Sequence, residues 1–143
     1  MKILLLLLFA ASLLVPAVPL YAAPPNMQEG LWEITTTISI EGVPFSMPPM
    51  KVTHCYTKKD LEDSSKTRPA AGGSKKKSDC EVKDLKESGS AASWKIECKD
   101  GTKGTGEATY KGSTYSLTQK VVDKGGDGAS TTTINAKRLG ACK

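Results

Sequence analysis

The residues in this sequence with the clearest covalent chemistry are its cysteines. Cys55, Cys80, Cys98 and Cys142 make an even set of four, which in an oxidising compartment reads as two disulfides with three ways of joining them. The local pattern favours one. Cys80 to Glu87 and Ala92 to Lys99 flank the turn-like Ser88-Gly89-Ser90, and a hairpin folded about Gly89 sets Cys80 opposite Cys98 and Val82 opposite Ile96. Directly opposed residues in an antiparallel pair carry Cβ atoms about 4.5–5.5 Å apart, and strand twist or a non-hydrogen-bonded pairing narrows that to bridging range. Cys55 and Cys142 then join each other. Closing so long a loop stabilises by roughly 4–5 kcal/mol on chain-entropy arguments and holds the C-terminus against fraying. Zinc is the competing use of four cysteines, but no two of them form a C-x-x-C type hook. His54, the only histidine, adjoins Cys55, so on a strand the two point to opposite faces.

Other chemistries find less material. A Ser-His-Asp triad would have to use His54, and no sharp strand-to-helix turn precedes a serine. With every cysteine bridged there is no thiolate nucleophile, so no catalysis, no catalytic residue and no cofactor is expected. Met47, Met50 and His54 are donors of the kind that hold copper(I), but methionines beside prolines more often cover the mouth of a barrel, and no metal is expected. Lys75 to Lys77 has the charge to touch anionic lipid; the default for a charge run in a loop is solvation. Nucleic acid is not an expected partner, since no aromatics interleave with those lysines and the net charge is only +5. Trp32 and Trp94 are the candidate ligand-stacking residues. Each lies in a strand pattern where core packing is the commoner role, Trp94 beside the expected Cys80–Cys98 bridge.

The elements that must position these residues begin with a targeting signal. Met1-Lys2 is a short positive start, Ile3 to Val15 is an almost unbroken apolar run, and Leu20-Tyr21-Ala22-Ala23 supplies small residues. That order is that of a secretory signal peptide, and the run is shorter than the roughly 20 apolar residues of a transmembrane helix. Cleavage is expected after Ala22, with Ala23 as the other candidate. Residues 1–22 are then signal peptide and 23–143 a single periplasmic or secreted domain, long enough for one modest core and with no transmembrane span.

The pattern within that domain is strand-like. Trp32, Ile34, Thr36, Ile38 and Ile40 alternate with Glu33, Thr35, Thr37 and Ser39, as on a half-buried strand. Gly42 and the segment from Pro44 to Pro49 break the pairing. Lys51 to Tyr56 reads as a second strand, and Thr57 with Asp60 three residues later predicts a helix N-cap and one short helix over 58–63. Residues 64–79, with no large apolar side chain, read as a mobile basic loop. Strands are predicted over 80–87, 92–99, 105–111, 114–122 and 130–139, joined by Gly89, Gly101 to Gly106, Gly112-Ser113 and Gly125 to Gly128. The expected fold is all-β: an antiparallel meander of about seven strands with one short helix, curled into an open or closed barrel, or alternatively a β-sandwich. The inward set is Trp32, Ile34, Ile38, Val52, Trp94, Ile96, Tyr110, Leu117, Val121 and Ile134.

Several segments together carry a family likeness. They are Glu29-Gly30-Leu31-Trp32-Glu33-Ile34-Thr35, Met47-Pro48-Pro49-Met50, Cys55-Tyr56-Thr57-Lys58-Lys59-Asp60-Leu61, Ser93-Trp94-Lys95-Ile96-Glu97-Cys98, Gly104-Thr105-Gly106-Glu107 and Lys137-Arg138-Leu139-Gly140-Ala141-Cys142. In this order they resemble the bacterial exported domain-of-unknown-function family 3617 (DUF3617), whose Gly-Leu-Trp signature would fall on Trp32. The resemblance implies export and no assigned activity. Two functions of different class fit the residues: a binding module whose curled sheet holds a small hydrophobic or lipid-like ligand, with the Pro44 to Pro49 loop at its mouth, and an envelope structural or protein-interaction module without a ligand.

Overall fold

The structure, a computed structural model, describes residues 25–44, 47–69, 79–126 and 128–143. The expected signal peptide and most of the expected basic loop lie outside the described residues. Strand β1 (Gly30–Ile40) and β2 (Met50–Tyr56) form a first hairpin, followed by helix α1 (Lys58–Glu62) and a 3-10 turn at Ser64–Lys66. Then come β3 (Cys80–Glu87), β4 (Ala91–Cys98), β5 (Lys103–Tyr110), β6 (Thr114–Val122) and β7 (Ala129–Gly140). All join one seven-stranded antiparallel sheet in the order β2-β1-β7-β6-β5-β4-β3. The chain is thus a hairpin and a five-stranded meander, joined where the last strand returns to pair with the first. No ladder links the two edges, β2 and β3, so the sheet is an open meander and neither a closed barrel nor a sandwich.

Local chemistry accounts for the turns and caps. The Thr57 hydroxyl accepts from the Asp60 amide at 3.2 Å while the Asp60 carboxylate accepts from the Thr57 amide at 3.0 Å, a reciprocal capping box that starts α1. Leu61 is the residue this short helix buries. Thr57 also holds the Asp60 carboxyl below its ordinary range through these hydrogen bonds.

Pairing across the sheet aligns the inward residues in rows. One row runs Ile34, Ala136, Tyr115, Tyr110, and the next Thr36, Ile134, Leu117, Ala108, Ala92. A third runs Ile38, Thr132, Gln119, Gly106, Trp94, and a fourth Ile40, Ser130, Val121, Gly104, Ile96, Val82. Neighbouring strands lie about 4.8 Å apart, yet the Tyr56 hydroxyl on β2 stands 3.4 Å from the Tyr115 hydroxyl on β6, three strands away. Only a sheet curled about this face can bring them together, so the sheet is a half-barrel with these rows inside.

Some strand limits differ from the sequence pattern. Gly104, expected in a connection, lies inside β5 opposite Val121 and Ile96. Gly106 is inward too, and a Cβ there would collide with the Trp94 indole. Strand β5 carries these glycines because its inward surface is occupied by side chains from its neighbours. The loop expected over 64–79 is ordered in its first part. Thr67 is only 3% exposed, and its hydroxyl donates to the Ser64 carbonyl at 3.0 Å and lies 3.5 Å from the Tyr110 hydroxyl. A polar residue can be buried when its hydrogen bonds are met on site, and sequence hydropathy does not register that.

Candidate functional site

The half-barrel has a filled end and an open end. At the filled end Trp32 has no exposed surface; its indole nitrogen donates to the Gln28 carbonyl at 3.0 Å, and its ring lies 5.6 Å from that of Tyr115 and 6.3 Å from that of Tyr56. Tyr110 continues the cluster 6.1 Å from Tyr115, and His54 packs edge-on against Tyr56 at 4.5 Å. Burial pushes the phenols of Tyr56, Tyr110 and Tyr115 above their ordinary range, and Tyr115 most, because the neighbouring Tyr56 adds to the cost of an anion there. These hydroxyls stay protonated at neutral pH. Trp32 is therefore core, as its strand pattern suggests.

Trp94 sits in the middle of the inner face, 3% exposed. One side of its indole lies against β5 at Gly106, and the Arg68 guanidinium carbon stands 5.4 Å from the ring centroid. Arg68 is held by its own turn: Nε donates to the Ser64 carbonyl at 3.1 Å and Nη2 to the Ser64 hydroxyl at 3.2 Å. Its Nη1 is buried without a partner, and so is Oε1 of Gln119, which belongs to the row of Gly106 and Trp94.

Toward its margins the inner face is uncovered, although Ile96, in the row beyond Trp94, is only 1% exposed. Register points Ile40, Met50, Val52 and Val82 inward with the core residues, yet they are 45%, 54%, 56% and 42% exposed. Val52, expected as part of the filled interior, is therefore on an open trough, because β2 is a sheet edge and no further strand covers it. Met47 in the hairpin connection is exposed as well. Met50 and His54 share the inner face of β2 with Val52 between them. Among the described residues, no three His, Cys, Asp or Glu side chains gather to hold a metal ion, and no helix is long and apolar enough to cross a membrane. Lys75 to Lys77 lie outside the described residues.

The disulfides brace both edges. Cys80 stands opposite Cys98, as Val82 does opposite Ile96, and these cysteines are bridged. Cys55 of β2 is bridged to Cys142 across a Cα separation of 5.8 Å. The edges are otherwise unlike. Strand β3 carries a bulge between Lys83 and Lys86, with Asp84 at φ 50 and paired to Lys95 at 2.7 Å, and bulges and charges of this kind blunt an edge against further pairing. Strand β2 runs without a register shift from Met50 to Tyr56. The outer face is polar and grooved: an open depression of about 750 Å³ is lined by Lys86, Ser93, Lys95, Glu107, Thr118 and Lys120 among others.

This arrangement, with an inward tryptophan opening β1 and a C-terminal cysteine tied back to β2, spans the region that a family model matches, residues 27–142, described as protein of unknown function (DUF3617). The chain belongs to that family. Neither a curated protein nor a solved structure matches it significantly. For this DUF3617 protein the residues that sequence reasoning missed are Arg68 and Gln119. A signal for Gln119 exists, since it interrupts the inward alternation Tyr115, Leu117, Val121 of β6 with an amide. Arg68 has none, because it reaches the inner face through the 3-10 turn.

Proposed function

We propose that this DUF3617 protein is an exported, non-catalytic binding module that holds a small hydrophobic or lipid-like molecule in the trough of its half-barrel. One observation carries the reading: Ile40, Met50, Val52 and Val82, which register turns inward, remain about half exposed toward the margins of the curled sheet. Contiguous uncovered apolar surface on a soluble domain marks a place where something binds, and small curled sheets hold ligands on their inner faces. Export is supported by the tripartite N-terminal segment and by two disulfides, which persist in oxidising compartments. Burial keeps the tyrosine hydroxyls protonated, which is consistent with packing rather than nucleophilic work.

The test is native mass spectrometry of the protein purified from the periplasm, before and after denaturation. A reproducible extra mass that disappears on unfolding, on a chain beginning at Ala23, is the expected result. A bare chain overturns the ligand, and an uncleaved chain retained in the cytosol overturns export.

The contrast between the edges favours a second reading, an envelope protein-interaction module. An extended segment of a partner would add to β2, whose edge lacks the bulge that β3 carries. That reading gains if the chain is bare and if the β2 edge amides are slowed in hydrogen exchange by an envelope extract.

A further inference from the structure

Two buried polar atoms lack partners, the Arg68 Nη1 and the Gln119 Oε1, and the fold relates both residues to Trp94. Arg68 stacks on it, while Gln119 pairs with Gly106, against which that indole lies. Gln119 is 5% exposed, and a buried amide with an unmet oxygen is rare enough in folded proteins to call for an explanation. An apolar residue would suit this position on β6 better if packing were its only task, as Leu117 and Val121 do on either side. Arg68 likewise spends two nitrogens on Ser64 and keeps the third buried without a partner.

We infer that the trough recognises an aliphatic carboxylate: the head group lies beside Trp94 between Arg68 and Gln119, and the chain runs out along Val121, Ile38 and Ile40. This rests on the trough reading above and names its ligand class. The Arg68 Nη1 donates to one carboxylate oxygen, a charge-assisted bond among the stronger kinds. The Gln119 amide donates its NH2 to the head group once its last torsion is turned by half a turn, the places of its oxygen and nitrogen being set by the hydrogen-bond partners around it. Beyond Gln119 the row runs from Val121 past Ser130 to Ile40, where it opens to solvent, while on its other side Ile96 is packed shut. A polar contact at the inner end and a greasy, half-open path leading from it match a molecule with one anionic end and a hydrocarbon body.

The test uses two probes with the same tail, dodecanoate and dodecanol, titrated calorimetrically into the disulfide-bonded mature protein after extraction of any bound lipid. Dodecanoate is expected to bind about ten- to a hundredfold more tightly than dodecanol, the factor associated with a charge-assisted hydrogen bond. Arg68→Met is expected to abolish the preference for dodecanoate over dodecanol, with an unchanged far-ultraviolet circular dichroism spectrum and melting transition verifying that the variant is folded. Gln119→Leu is expected to lower dodecanoate selectively and by less. Equal binding of the two probes to the wild type, or a dodecanoate preference that survives Arg68→Met, overturns the head-group site and leaves the trough standing. Failure of both probes to bind overturns the trough and the head-group site together.

Discussion

Trp94 packs directly on Gly106 in the inner face, and this makes Gly106→Ala a sharp perturbation of that packing. An added Cβ would fall inside the van der Waals envelope of the indole Cε2, Cζ2 and Nε1 atoms. These are atoms of a rigid ring that is 3% exposed, so the ring must turn off its rotamer or β4 and β5 must separate. Overpacking of this kind costs about 1–3 kcal/mol. Displacing the ring also weakens the Arg68 contact, which is worth roughly 0.5–2 kcal/mol, while replacing a strand glycine returns about 0.5–1 kcal/mol. The net loss is about 2.5 kcal/mol, and at about 4 °C for each kcal/mol in a domain of this size the melting temperature falls by about 10 °C. The assay is thermal melting with near-ultraviolet circular dichroism, which reads the tryptophan environment. A control is Gly42→Ala, where nothing lies within 4 Å and only the φ of +82° opposes the substitution, with an expected cost of about 1–2 kcal/mol. The double variant with Trp94→Leu should regain part of the loss, since the clash goes with the ring. An unchanged melting temperature in Gly106→Ala, or strict additivity with Trp94→Leu, would refute the placement of the indole on β5.

Three further outcomes are expected. Replacing Cys55 and Cys142 together by serine should destabilise by about 4–5 kcal/mol, against about 3 kcal/mol for the Cys80 and Cys98 pair, because the first closes a span of 87 residues and the second of 18; urea unfolding of the two double variants measures the order, and a reversal would count against loop entropy as the main cause. Stability should fall as pH rises above about 10. The unfolded tyrosines lose their protons there while buried Tyr56, Tyr110 and Tyr115 keep theirs, so the unfolded state gains by up to about 1.4 kcal/mol per pH unit for each. The contribution is fully present below that pH, and Tyr115→Phe should flatten the alkaline slope of melting temperature; an equal slope would contradict the burial argument. Thr57→Ala removes the capping box of α1 and should cost about 1 kcal/mol, measured by urea unfolding, with a loss below about 0.3 kcal/mol showing that α1 is held by Leu61 alone.

Much of the fold is legible in the residues because its signals are local. Period-two alternation in Trp32 to Ile40, glycines between strands, the Thr57 and Asp60 pair and the symmetry of Cys80 and Cys98 about Gly89 each act over a few positions. The family likeness is legible for the same reason. Of the candidate site, the inward identity of Trp94, Val52 and Val121 was readable from alternation. Their degree of cover was not, since Ile34 and Val52 stand opposite one another on the same face and differ only in distance from the sheet edge.

What the sequence determined by itself is therefore the strands and the short helix in their order, the face each strand turns inward, and the pairing of the cysteines. Tertiary structure alone decided three things: that β7 returns to β1, that β2 and β3 do not meet, and that the turn after α1 lays Arg68 over Trp94 with Gln119 nearby. The physical reason is common to all three. Closure, curvature and the burial of a polar atom depend on the sum of twist and packing over segments far apart in the chain, and no window of neighbouring residues contains that sum.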